Sequence, residues 1–180
     1  ECVPINVAPY QITTGGYIKK ASTQNALIIN WVSKVDRSAL GLLAPASFLL
    51  DIGKVLISQY LMNHKRDEDF KTALANTASF EECEKSVCGS QSYDVAATIF
   101  HNWNFASDLV HLVRYCNDPE DALDEETKNL AKYLKVAKTA VDFNGELTKE
   151  NLEAAYDLLE EFELDRNTFD AAVEKIELAS

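Results

Sequence analysis

Three histidines are the side chains best suited to proton transfer or metal binding near neutral pH, and their spacing supports neither role. His101 and His111 stand ten residues apart, with Asp108 three before the second, and His64 lies elsewhere. Asp108 and His111 share a helical i,i+3 spacing, whereas a zinc site would want histidines four apart or a third close ligand. The stretch Asp142-Phe143-Asn144-Gly145-Glu146-Leu147 has the turn glycine of a calcium loop. In that register the first ligand position falls on Ala140 and the last on Asn151, so both anchoring carboxylates are missing. No GxSxG, P-loop or dinucleotide glycine pattern occurs. Acidic pairs such as Glu160 and Glu161 read as solvated helix surface. The expectation is a protein with no catalytic residues, no metal and no cofactor.

Cysteine chemistry points elsewhere. There are four, Cys2, Cys83, Cys88 and Cys116, and the chain opens at Glu1, as a mature terminus does after removal of a signal peptide. An even count without CxxC or a neighbouring histidine favours disulfides over zinc. If helices on either side of Gly89 form a hairpin, Cys116 lies ~35 Å from its turn at ~1.5 Å per residue. A disulfide spans a Cα separation of only about 4.4–6.8 Å. That geometry predicts Cys83–Cys88 as a local loop, which requires the helix to end near Cys83, and Cys2–Cys116 as the fastening of the N-terminal arm. Secretion into an extracellular space follows from the same reading.

Charge narrows the partners. The net charge is −12. Residues 117–180 hold 18 acidic and 7 basic side chains, so the first 116 residues are close to neutral. No basic footprint for nucleic acid exists. The acidic third reads as a solvated face, with docking of a basic partner as the sharper alternative.

Helices carry these residues, because from about residue 17 Ala, Leu, Glu and Lys dominate and β-branched alternation is rare. Residues 1–16, with two Pro and two Gly, form an extended arm, and residues 17–180 one bundle. The expected architecture is an all-α, single-domain bundle of five to seven helices, stapled by disulfides. Apolar spacing predicts a first helix over about 17–36. Residues 39–62 are the most apolar run, long enough to cross a bilayer. Asp51, Lys54, Gln59, Gly41, Pro45 and Gly53 within it favour a central core helix over a membrane span. A third helix follows Asp67, and a fourth spans about Tyr93–Tyr115. Asp118-Pro119-Glu120-Asp121 is a helix start, leading the seam Leu123, Thr127, Leu130, Leu134, Ala137 and Val141. Thr148 caps the last helical region, with a break near Asp165–Asn167.

The remaining candidate site is apolar. Phe48, Leu49, Ile52, Leu56 and Tyr60 on one helix, with Phe100 and Trp103 on another, could line an inter-helical cavity for a fatty acid or similar molecule. The sequence therefore suggests a secreted, non-enzymatic carrier of an apolar small molecule. The rival is a secreted effector, venom, salivary or cytokine-like, that binds a protein receptor through its surface.

Overall fold

The computed structural model describes residues 5–77 and 79–179. Helices are the regular elements among them, joined by short turns. The arm runs through a 3-10 turn at Ala8–Tyr10 and buries Val7 and Tyr10. Thr13 then accepts a hydrogen bond from the Gly16 amide and caps α1 (Thr14–Val35). The long helix buries Ala21, Leu27, Ile28, Trp31 and Val32, and packs on α2 (Leu40–Leu49), α8 (Glu125–Ala140) and α10 (Arg166–Glu177). Leu27, Ile28, Trp31 and Val32 have no exposed surface. Replacing Trp31 by Ala would cost about 3–5 kcal/mol.

The apolar run of residues 40–63 is a bent rod rather than the axle of the bundle. Its first half, α2, joins the main core with Leu43, Ala46 and Leu50. A turn at Leu50–Asp51 then starts α3 (Ile52–Asn63), whose Ile57 and Leu61 belong to a second, smaller core with Tyr10, Phe70 and Cys83. The rod is long and apolar enough to cross a membrane, and half of its most apolar window is buried within the bundle.

More helices form than the five to seven expected, because two predicted helices are interrupted. The third is split into α4 (Asp67–Leu74) and α5 (Phe80–Cys88), the latter capped by Ser79 on the Glu82 amide. The fourth is split into α6 (Ser92–Asn102) and α7 (Ser107–Arg114). At that break Asn104 takes φ 58°, a left-handed conformation that asparagine tolerates better than most residues. Asp118-Pro119 begins only a 3-10 turn, and α8 starts later because Asp124 accepts the Thr127 amide at 2.8 Å. Leu123 consequently falls outside the seam and is 87% exposed. Thr148 caps α9 (Lys149–Glu161), as the sequence implies, and the expected break near Asp165–Asn167 is where Asp165 caps α10.

Among the described residues no disulfide is formed. Cys83, Cys88 and Cys116 are free thiols; Cys2, and with it the expected Cys2–Cys116 bond, lies outside the described residues. The helix does not end at Cys83 but continues to Cys88, so the two residues sit five apart on one helix and point in different directions. Cys83 is buried in the second core, with its Sγ 3.5 Å from the Phe70 carbonyl.

Candidate functional site

The feature that the apolar rod makes room for is a buried polar network. Asp51 and Lys54, three residues apart, are both almost fully buried. Lys54 Nζ donates to Asp51 Oδ1 at 2.8 Å and to Ser92 Oγ at 3.2 Å. Gln24 Nε2 of α1 donates to the other Asp51 oxygen at 3.3 Å. Glu84 of α5 closes the network. It accepts the Tyr10 hydroxyl at 2.8 Å on one oxygen and the Ser92 amide at 2.6 Å on the other. Gly53 allows this convergence: a Cβ at that position would collide with the Ser92 carbonyl, so only glycine lets α3 lie this close to the start of α6.

Toward solvent the network opens into a pocket of ≈ 450 Å³, between α1, α3, α5, α6 and the C-terminal end of α8. Lys20, Lys54, Lys138, Glu81, Tyr93 and Phe143 are among its walls. Lys54 and Lys138 both stand against the Tyr93 ring, at 4.8 and 4.4 Å from its centroid. Lys20 lies 4.2 Å from the Phe143 centroid and donates to the Val141 carbonyl at 3.1 Å. Lys138 pairs with Glu81 at 3.1 Å and donates to Asn117 Oδ1 at 2.6 Å.

The loop after α8 holds the Val141 carbonyl and Phe143 over α1. Asp142 Oδ1 accepts the amides of Asn144 and Glu146, each at 2.8 Å, which shapes the turn. Gly145, at φ 80°, presses against the backbone of Lys19 and Lys20, where no side chain would fit. Its carbonyl accepts the Thr23 hydroxyl at 2.9 Å, and Glu146 pairs with Lys19. The carboxylate of the supposed calcium loop thus serves its own turn.

The charges have a definite balance. Burial alone would raise the Asp51 carboxyl, but Lys54 and Lys20 outweigh it and hold the group below the usual carboxylate range. Burial works the same way on Glu81, and Lys138 and Lys54 bring it down to about 2. Lys54 is held protonated against burial by Asp51, Glu84 and Glu81. Lys20 is the exception: burial, only partly offset by Asp51 and reinforced by Lys54 and Lys138, brings its ammonium down to about 8. Glu84 is raised by burial. Three ammonium groups and one carboxylate, Glu81, line the pocket itself. Among the described residues no group of three or more His, Cys, Asp or Glu is placed to hold a metal.

The residues singled out from the sequence lie elsewhere and do not share one cavity. Phe48, Tyr60 and Trp103 are exposed, Trp103 by 63%. Leu49 and Ile52 are half-buried against the main core, in which Phe100 is fully enclosed. Leu56 and Tyr60 line a shallow groove of ≈ 250 Å³ with Ile57, Cys88 and Val95. Phe100 and Trp103 meet Phe105 at the break between α6 and α7, their centroids 5.0 and 6.5 Å from its ring. His64, His101 and His111 are exposed. Lys20, Glu81, Glu84 and Lys138 were not singled out; they come together only in the folded chain. Asp51 and Lys54 did carry a signal, as opposite charges one helical turn apart inside an otherwise apolar run.

The chain is thus a helical bundle with a lysine-lined pocket where α1, α3, α5 and α6 meet the end of α8. The family model of the HDOD domain matches residues 18–119, and the chain belongs to that family. A solved virulence factor from Campylobacter jejuni subsp. jejuni is similar to it, with TM-score 0.81, 25% identity, and coverage of 94% of this chain and 65% of that one. The fold is also shared with a putative phosphohydrolase from Shewanella amazonensis SB2B, at TM-score 0.63, 20% identity, and coverage of 97% and 62%. The chain therefore spans less than two thirds of either protein. No curated protein matches it by sequence. These findings overturn the reading as a secreted, disulfide-fastened carrier of lipid: the family is HDOD, its neighbours bear no such description, and the described cysteines are unpaired.

Proposed function

We propose that this HDOD domain is a non-enzymatic binding module whose ligand is a small anion, seated between Lys20, Lys54 and Lys138. The observation that carries the reading is Lys20. It is a buried ammonium with no carboxylate at ion-pair distance among the described residues, in a pocket that already contains two further lysines. Each of the three has an ammonium N–H left over after its bonds in the protein: Lys54 and Lys138 use two apiece and Lys20 uses one. Hydrogen bonds from charged donors are worth about 1.5–3 kcal/mol each, so two or three of them give about 3–9 kcal/mol before the cost of association, enough for weak binding of about millimolar strength. The carboxylates nearest the site, Asp51 and Glu81, are taken up as partners of Lys54 and Lys138, and none of the three histidines lines the pocket.

Phosphate monoesters are the first class to screen. Calorimetric titration with inorganic phosphate and with small phosphate esters should show one site per chain, lost in Lys138→Met. Binding that survives Lys138→Met refutes the placement of the site, and release of inorganic phosphate from an ester by the intact protein refutes the non-catalytic half of the reading.

A further inference from the structure

Lys20 differs from the other two lysines of the pocket in what it touches. Lys54 has Asp51 and Lys138 has Glu81 as ion-pair partners. Lys20 has the neutral Val141 carbonyl and the face of Phe143. Its side chain is 7% exposed, and what remains open lines the pocket. The charges that act on it are Asp51 at the turn before α3, Lys54 from α3, Glu81 from α5 and Lys138 from α8. A lysine in such surroundings, desolvated and close to other cations, gives up its proton readily and becomes a nucleophile toward carbonyl carbon.

We propose that Lys20 captures a small oxo acid as a reversible imine, while Lys54 and Lys138 hold the carboxylate beside the reacting carbonyl. This deepens the anion-binding reading and rests on it. The Lys20 nitrogen lone pair forms a bond to the carbonyl carbon as the C=O π pair moves to oxygen. One N–H proton passes to that oxygen, giving a carbinolamine. The second N–H proton leaves with the hydroxyl as water when the C=N bond forms. Nothing is oxidised or reduced, and hydrolysis reverses the step. The docked loop directs the amine: the Val141 carbonyl takes one N–H, and the Gly145 contact with α1 keeps that carbonyl in place.

The test is reductive trapping on the intact chain at pH 8 with pyruvate and cyanoborohydride, followed by tryptic mapping. Proton loss near pH 8 leaves on the order of 100-fold more neutral amine at Lys20 than at an exposed lysine. A reduced adduct at Lys20, formed well ahead of the exposed lysines and slowed by excess sulfate, is the expected result. Lys20→Arg keeps the charge and cannot form the adduct, and its fold is checked by circular dichroism. Even labelling of exposed lysines, while calorimetry still shows sulfate bound and lost in Lys138→Met, overturns the imine and leaves the anion site standing. Labelling at Lys20 that sulfate does not slow overturns the role given to Lys54 and Lys138. Absence of both adduct and sulfate binding overturns the two readings together.

Discussion

Substituting Lys20 by Met should make the protein more stable at neutral pH and remove a rise in stability that the unchanged chain shows in alkaline solution. In the folded state the Lys20 ammonium loses its proton near pH 8, against 10.5 when exposed. Below pH 8 both folded and unfolded chains carry the proton, and the folded state bears the whole cost of the buried charge. Between about pH 8 and 10.5 the unfolded chain still binds the proton and the folded chain does not, so stability increases with pH. The difference corresponds to about 3 kcal/mol, gained progressively across that window. Methionine has a similar length without the charge, but it leaves the Val141 carbonyl without its donor, at about 1 kcal/mol. The net gain at pH 7 is therefore about 1–2 kcal/mol. Urea unfolding of both proteins at half-unit steps from pH 7 to 10.5 gives the difference curve directly, since the other lysines cancel. A difference that stays flat, or that widens in favour of the variant as the pH rises, refutes the assignment of Lys20 as a buried, unneutralised cation.

Lys54→Met leaves Asp51 buried without its cation and should lower urea stability by about 3–5 kcal/mol, most of it restored by adding Asp51→Leu; no recovery in the double variant would deny the pairing its importance. Gly53→Ala should destabilise by about 1–3 kcal/mol or more, because α3 and α6 must separate, and an unchanged melting temperature would contradict the close approach. In the native protein Cys88, half-buried, should react with a thiol reagent ahead of Cys83 and Cys116, which become available on unfolding. A reducing agent should leave the melting temperature unchanged; a fall would restore the disulfide reading.

Much of the helical organisation is legible in local chemistry. Thr148 and Asp165 announce α9 and α10 because their side chains can accept the amides of the next turn, a relation spanning only two or three residues. Where local signals compete, they mislead. Asp118-Pro119 has the pattern of a helix start, yet Asp124 captures the Thr127 amide and takes the role. The break at Asn102–Ser107 has no proline or glycine to mark it; Asn104 alone supplies the left-handed turn. The cysteines misled for a different reason. Their even number suggested pairing, but Cys83 lies in a core with Phe70 and Leu61, where a thiol acts as a small apolar side chain. The pocket was the least legible part. Asp51 and Lys54 argue against a membrane span, and their i,i+3 opposition inside an apolar run is the sequence's one sign of a buried polar network. Lys20, Glu81 and Lys138 belong to helices far apart in the chain, and each alone looks like an ordinary surface charge.

Whether the lysine pocket holds an anion is decided by a crystal grown or soaked with selenate, with the anion located by its anomalous scattering. One site should appear at hydrogen-bond distance from Lys20 and Lys138, with Lys54 facing it across the pocket. Selenate bound only at exposed lysines, with the pocket filled by ordinary solvent, would show that the pocket is not an anion site.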